Sequence, residues 1–205
     1  MNTDFQRRAD PKQSRSQKTI DLILKTTSEL LDEVGFERLS TNLVCQRAGL
    51  TPPAIYRYFP NKYALLSELG QRLMDEQNAA LAPYIERVLQ DDEPAEAVFE
   101  SISEQLEIAE CMPGGRWILR ALHATPALCD IRTRSHDLVA EQLADAILVQ
   151  YPDNDRQKVI QTMRLNIEFG YSVIEYVMDL PNVDRDSVLR EAAATLTHNF
   201  TQYSS

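Results

Sequence analysis

Apolar residues recur along this chain with helical spacing, and no run alternates convincingly as a half-buried strand would. Ile20, Ile23, Leu24, Thr27, Leu30, Leu31 and Val34 stand at i, i+3, i+4 and i+7 intervals, which predicts an amphipathic helix from about residue 15. Gly35 follows where a helix commonly ends in a left-handed residue. Ser40 or Thr41 can cap a short second helix through Ala48, and Gly49 ends it. Thr51 can cap a third helix with Pro52 at its first position, where the missing N–H costs little, and Pro60 stops it. Asn61 can cap a fourth helix that runs through Leu65, Leu66, Leu69 and Leu73 until Pro83 kinks or ends it.

The rest of the chain is punctuated in the same way. Pro94 opens a helix to about Glu110, Pro113-Gly114-Gly115 breaks the chain, and a short helix covers Trp117 to His123. Thr125-Pro126 opens a helix to about Gln150, and Pro152-Asp153-Asn154-Asp155 is a turn ahead of a long helix to about Asp179. After Pro181-Asn182, Asp184 caps a last helix to about Tyr203. The expected fold is therefore all-α, with about nine helices and no fixed-period repeat. Residues 1–14 are polar and read as a flexible basic tail. Asp91-Asp92-Glu93 reads as a solvated loop between helices.

Composition narrows the possible chemistry. The chain has only 6 glycines in 205 residues and lacks G-x-G-x-x-G and G-x-x-x-x-G-K, so the common phosphate-cradling loops are absent. No apolar run approaches the roughly 18 residues of a membrane span, and MNTDFQRRAD has no apolar signal core, so a cytoplasmic location with no membrane partner is expected. Cys45, Cys111 and Cys129 are too dispersed for a metal site or an even disulfide set. The net charge of -10 conceals an asymmetry. Residues 1–62 hold ten basic and seven acidic side chains, leaving -13 on the remainder. A basic segment on an acidic body points to a polyanion at the N-terminal end, although a basic tail with solvated helix faces gives the same count.

Residues 40–62, STNLVCQRAGLTPPAIYRYFPNK, carry the candidate chemistry. Two short helices meet at Ala48-Gly49-Leu50, and Leu43, Val44, Ala48, Leu50, Ile55 and Phe59 can pack inward on the first helix, the arrangement of a helix-turn-helix. Its second helix carries Pro53, Ala54, Tyr56, Arg57 and Tyr58 away from those core positions. A helix that reads the major groove needs small residues near its N-terminus and donors along its flanks. Tyr56 and Tyr58 offer hydroxyls, Arg57 a guanidinium and Lys62 an ammonium. Thr41 offers a hydroxyl and an N–H at a helix N-terminus, where phosphate binds well. Each has a plainer reading: Tyr56 as core, Arg57 as a solvated charge, Thr41 as a cap. Cys45 reads as a small core residue.

Over about residues 15–67 the chain resembles the TetR (tetracycline-repressor-like) family of bacterial transcription regulators. The ordered elements are Gly35-Phe36, a Thr41-led helix, Ala48-Gly49-Leu50-Thr51, Ile55-Tyr56-Arg57-Tyr58-Phe59-Pro60-Asn61-Lys62 and Ala64-Leu65-Leu66. The resemblance implies an all-helical homodimer with an N-terminal DNA-binding domain and a C-terminal ligand-binding domain. It implies DNA-facing roles for Thr41, Asn42, Thr51, Pro53, Ala54, Tyr56, Arg57, Tyr58 and Lys62. Arg57-Tyr58 departs from the Tyr or Trp followed by His common in the family, which alters the expected operator preference. On this basis the chain divides into a tail (1–14), a helix-turn-helix domain (15–62) and an effector-binding and dimerisation domain (63–205). The expected partners are a double-stranded DNA operator, a second copy and a largely apolar small molecule of unknown identity. The expected action is that of a repressor which a small-molecule effector releases from a palindromic operator.

Beyond residue 68 the resemblance fades. Val159, Ile160, Met163, Ile167, Ile174 and Met178 form one apolar stripe, and Val188, Leu189, Ala192, Leu196 and Phe200 another. In the family the last two helices form the dimer contact, so Ile167, Gly170, Ile174, Met178, Leu189, Ala192, Leu196 and Phe200 are candidates. Both stripes must also serve their own core, so a split is expected. Candidate effector-lining residues are Phe99, Ile102, Leu106, Trp117, Arg120, His123, Met163, Asn166, Phe169 and Tyr171, mostly apolar with a few polar groups, as small-molecule sites are. Catalysis is not expected: His123, His136 and His198 lack the Glu-x-x-His pattern of helical di-metal sites, and neither H-E-x-x-H nor G-x-S-x-G occurs. No cofactor or metal is indicated. The competing reading is a helical protein-interaction module without sequence-specific DNA binding. That reading accounts for the apolar stripes but not for Tyr56-Arg57-Tyr58 at the end of a basic segment.

Overall fold

The computed structural model describes residues 14–90, 93–201 and 203. The tail expected over 1–14 falls outside the described residues except for Ser14, as do Asp91 and Asp92 of the acidic run. Nine helices run through the described residues: α1 (Ser14–Arg38), α2 (Thr41–Ala48), α3 (Pro52–Tyr56), α4 (Lys62–Gln90), α5 (Pro94–Cys111), α6 (Gly115–Ala124), α7 (Pro126–Gln150), α8 (Arg156–Asp179) and α9 (Arg185–Thr201). Local signals set most of these ends. Ser40, not Thr41, caps α2 by accepting from Leu43 N–H at 3.2 Å. Asn61 Oδ1 accepts from Ala64 N–H at 3.0 Å ahead of α4, Asp155 caps α8, and Asp184 accepts from Ser187 N–H at 3.2 Å ahead of α9. Thr51 precedes α3 with no side-chain cap bond. Backbone dihedrals break α1 at Gly35 (φ 75, ψ 173), one turn before its last residue. Helix α4 does not end at Pro83. It continues to Gln90, and Ala79, whose carbonyl the proline leaves unbonded, is exposed to water.

Two compact units result. The first comprises the chain through Met74 together with Glu110–Arg132, so the helix-turn-helix is joined by α6 and the start of α7. Its boundary falls inside α4, after Met74, and not after Lys62 as the sequence division has it. The core of this unit holds Ile20, Ile23, Leu30, Leu31, Val44, Ile55, Phe59, Leu65, Leu73, Ile118 and Leu122, all essentially inaccessible. Each such side chain contributes about 1.5–3 kcal/mol of burial free energy. Helix α6 lies close on α1. Ser28 Oγ donates to Pro113 O at 2.5 Å, and Gly114 N–H donates to Asp32 Oδ1 at 3.3 Å. A Cβ at Gly114 would sit 2.9 Å from the Ser28 carbonyl oxygen and 3.0 Å from Leu31 Cβ, while its φ of +70° is itself disfavoured for other residues. The Pro113-Gly114-Gly115 break is thus a docking point for α1.

The second unit comprises Asp75–Ala109 and Thr133–Ser205. One apolar cluster gathers Val139, Leu143, Ile147, Val159, Met163 and Tyr203, with Leu81, Ile85 and Phe200 packed against it. Polar groups cross this unit in satisfied pairs. Gln77 and Gln105 each donate a side-chain amide N–H to the other's backbone carbonyl, at 3.0 and 2.8 Å. Asn78 and Ser135 exchange hydrogen bonds at 2.9 and 3.1 Å. Buried His136 faces Glu168 and Arg164, and Arg164 also donates to Asp137 at 2.6 Å. Such pairing is what allows side chains like Gln77 and His136 to be buried without a large desolvation cost.

Candidate nucleic-acid interface

The turn between α2 and α3 depends on Gly49. Its φ of 65° ends α2 in the left-handed conformation, with Leu50 N–H donating to Cys45 O at 3.0 Å. Pro52 and Pro53 occupy the first positions of α3, which therefore starts without wasting N–H groups. Val44, Cys45, Ile55 and Phe59 are buried, while Leu43, Ala48 and Leu50 are half-buried. These anchors leave Asn42, Thr51, Pro53, Tyr56 and Arg57 exposed and Thr41, Ala54 and Lys62 partly exposed. Tyr56 is 39% exposed, so it is not a core residue. Because Ser40 takes the cap, the Thr41 hydroxyl is available to Tyr56, and the two oxygens lie 3.1 Å apart. The N-terminus of α2 and the end of α3 thus share one hydroxyl pair.

Two residues behave differently from expectation. Tyr58 is only 6% exposed, so its ring does not point away from the core. It stands three residues after buried Ile55 and beside buried Phe59, which is an inward phase. Arg57 lies over its outer face, with the guanidinium carbon 5.6 Å from the ring centroid. Lys62 Nζ donates to Phe36 O at 3.2 Å and sits 4.5 Å from the Phe36 ring. That interaction ties the start of α4 to the segment after Gly35 and leaves two ammonium protons for other acceptors.

Sequence reading also missed an ion pair beside this surface. Arg47 on α2 grips Glu33 on α1 through two hydrogen bonds, of 2.8 and 2.7 Å. These hold the Glu33 carboxyl below its ordinary range. A lowered folded-state pKa means the pair's stabilisation is present above the ordinary carboxylate range and is lost as pH falls through the folded value. Both side chains are about half exposed, so the contribution to stability is small. In an NMR titration, Arg47→Ala should return the Glu33 midpoint to the ordinary carboxylate value; an unchanged midpoint would show that the bridge is not populated in solution.

The remaining candidates divide between the units. In the first, Trp117 packs against Gly35, 3.3 Å from where a Cβ would stand, and Arg116 and Arg120 lie 5.3 and 5.2 Å from its ring; His123 is exposed. In the second, Ile102, Leu106, Met163 and Tyr171 are buried, and Arg190 covers Phe99 at 4.0 Å. Asn166 and Phe169 line an open groove of about 410 Å³ along α8 and α9, with Leu165, Glu168, Ser172, Thr195 and Asn199. Of the dimer candidates, Ile174, Leu189, Ala192 and Leu196 are buried inside their own unit. They can offer little area to a second copy without repacking. Ile167, Gly170, Met178 and Phe200 are half-buried. A Cβ at Gly170 would meet Leu196 of the same chain at an ordinary 3.9 Å, so the packing of α8 on α9 within the chain does not require a glycine there. The exposed apolar row on α8 is Leu165, Phe169 and Tyr176, at 63%, 44% and 47% exposure.

Among the described residues, no helix is long and apolar enough to cross a membrane, and no group of three His, Cys, Asp or Glu side chains could hold a metal ion. The model for bacterial regulatory proteins of the tetR family matches residues 23–69. The model for the tetracyclin repressor-like C-terminal domain matches residues 92–203. The chain is 39% identical over 54 residues to the tetracycline repressor protein class C of Escherichia coli, covering 26% of this chain and 25% of that protein. It therefore spans about a quarter of the length of that relative. It is 24% identical over 191 residues to the HTH-type transcriptional regulator UidR of Escherichia coli strain K12, covering 90% and 91% of the two chains. In fold it is similar to a TetR-family regulator from Syntrophomonas wolfei, with a TM-score of 0.68 at 13% identity over 92% and 96% of the chains. It is similar also to RolR in complex with resorcinol, with a TM-score of 0.59 at 16% identity over 92% and 95%. The two family matches together take in both the helix-turn-helix and the helices that follow, and the chain belongs to the TetR family of bacterial regulatory proteins.

Proposed function

We propose that this chain is a ligand-responsive DNA-binding transcriptional repressor, acting as a homodimer on a two-fold symmetric operator. The observation that carries the reading is the exposed surface of Asn42, Thr51, Pro53, Tyr56 and Arg57, with partly exposed Thr41 beside it, mounted on the buried Val44–Ile55–Phe59 anchor of a family helix-turn-helix. The linked Thr41 and Tyr56 hydroxyls and the Lys62 ammonium suit phosphate oxygens, which fix register. Asn42, Pro53, Ala54 and Arg57 are the base readers, and Arg57 is suited to a bidentate contact with guanine.

The dimer face is assigned to the exposed row Leu165, Phe169 and Tyr176 with the adjoining groove. Leu165, Phe169 and Tyr176 recur at helical spacing and expose large apolar side chains along one face of α8, a surface that a second copy can cover. An isologous contact would set the same row on each subunit against its copy. The effector is a small molecule held by the helices of the second unit. That RolR is known with resorcinol supports ligand responsiveness in this fold. Effector binding favours a conformer whose recognition helices are wrongly spaced, so DNA must weaken effector binding by the same factor.

The test is fluorescence anisotropy on selected duplexes at two salt concentrations. Arg57→Ala should relax base preference and cost about 1–3 kcal/mol on the preferred site. The double variant Tyr56→Ala, Arg57→Ala should lose specific binding. Weak binding that ignores both sequence and mutation would instead favour a protein-interaction module.

A further inference from the structure

We propose that Tyr58 is a positioning residue for DNA reading: its buried ring is the platform that holds the Arg57 guanidinium in its reading orientation. This rests on the DNA-binding reading above and assigns Tyr58 a role other than the DNA-facing one implied by the family resemblance. Helix α3 ends at Tyr56, so Arg57 and Tyr58 lie in the turn that follows it. Backbone bonds fix that turn: Arg57 N–H donates to Pro53 O at 3.1 Å, and the N–H groups of Tyr58 and Phe59 both donate to Ile55 O at 2.9 Å. Tyr58 is 6% exposed and Phe59 beside it fully buried, so the Tyr58 ring is packed against protein and not surrounded by water. Arg57 is exposed, and its guanidinium carbon lies 5.6 Å from the ring centroid, within the range of a cation–π contact. Among the described residues Arg57 forms no ion pair. Of the side-chain contacts described for Arg57, the one to the Tyr58 ring is the one that can restrain its guanidinium.

A free arginine has many rotamers, and reading a base edge with both donors requires one of them. Stacking on a fixed aromatic face narrows that choice before DNA arrives, so less freedom is lost on binding. A guanidinium held against a ring by its face keeps its in-plane N–H donors free for hydrogen bonding. Tyr58 thereby contributes to sequence discrimination without touching a base.

The experiment compares wild type, Tyr58→Phe, Tyr58→Leu, Arg57→Ala and the Arg57→Ala, Tyr58→Leu double variant. Each is titrated against the selected operator and against duplexes altered at the base pair that Arg57→Ala ceases to discriminate. Tyr58→Phe should keep the full discrimination, because the ring remains. Tyr58→Leu should lose about 2- to 5-fold of it, the equivalent of one exposed stack, and adding Arg57→Ala should then cost less than it does in wild type. NMR gives a second readout: the ring should shift the Arg57 side-chain protons upfield in wild type and Tyr58→Phe, and the shift should vanish in Tyr58→Leu. Full Arg57-dependent discrimination in a folded Tyr58→Leu protein would overturn the proposal. So would a Tyr58→Phe variant that binds every sequence more weakly by a similar factor, since the hydroxyl would then be a phosphate contact. If Tyr58→Leu does not fold, Tyr58→Met replaces it as the non-aromatic variant. Wild-type protein with no sequence preference would sink the DNA-binding reading itself, an outcome visible before any variant is made.

Discussion

Gly114→Ala should destabilise the protein by roughly 2–5 kcal/mol, combining about 1–2 kcal/mol for a left-handed non-glycine residue with about 1–3 kcal/mol for overpacking. The added methyl has nowhere to go. It would lie 2.9 Å from the Ser28 carbonyl oxygen, 3.0 Å from Leu31 Cβ and 3.2 Å from the Asp32 backbone nitrogen. Two of these three are backbone atoms inside α1, which cannot rotate aside as a side-chain tip can. Relief would come only by moving the start of α6 off α1, stretching the Ser28–Pro113 and Asp32–Gly114 hydrogen bonds. Gly49→Ala is the control. Its φ is nearly the same, +65°, but a Cβ there meets nothing within 4 Å. Only the conformational contribution should appear, about 1–2 kcal/mol. Urea melts of both variants separate the two contributions. Equal losses would mean that α6 is not seated on α1 as described.

Phe169→Glu should convert the dimer to a monomer and weaken operator binding by about 10²–10⁴-fold, the factor lost when two linked sites become independent. Phe169 is 44% exposed on α8 and lines the open groove, so a carboxylate there is solvated in the monomer and desolvated only at an interface. The protein should stay folded while light scattering reports half the mass. A charge at Ile174 or Leu196 should act differently. Both are about 5% exposed within their own unit, so the charge would disrupt that unit's packing instead of separating one copy cleanly from the other. A Phe169→Glu protein that remains dimeric would move the interface to another face.

These two positions mark where sequence patterning was informative and where it was not. Short-range signals carried the helix ends: Gly35, Gly49, Asn61, Asp155 and Asp184 act through their own dihedrals or a hydrogen bond two or three residues away. Pro83 was legible as a strain but not as an end, because exposure lets water take the carbonyl that it frees. On α8 the denser apolar stripe, through Met163 and Ile174, belongs to the intramolecular core, and the sparser row Leu165–Phe169–Tyr176 is left outside. Hydrophobic content identifies a helix face that is buried, but not by what. The proximity of Gly114 to α1 spans 82 residues in the Asp32 contact and has no local signature beyond a glycine in a break.

The DNA surface was legible for a related reason. Its anchors repeat at helical spacing, so the exposed set follows by elimination. Tyr58 is the exception, and the spacing carried the correction: Ile55, Tyr58 and Phe59 stand at i, i+3 and i+4 and are all buried. Thr41 and Tyr56 lie 15 residues apart, and their contact required the turn at Gly49 to be built first. The effector residues were least legible. A pocket is formed by several helices at once, and phase on one helix does not say which neighbour it faces.

Selection of duplexes from a random DNA pool by the purified protein, followed by sequencing and a mass measurement of the complex, bears most directly on the dimeric DNA reader. The expected result is an enriched sequence with two-fold symmetry, occupied by two chains per symmetric site, with enrichment abolished by Tyr56→Ala, Arg57→Ala. No enriched sequence, or one without symmetry bound by a single chain, would contradict a dimeric helix-turn-helix reader.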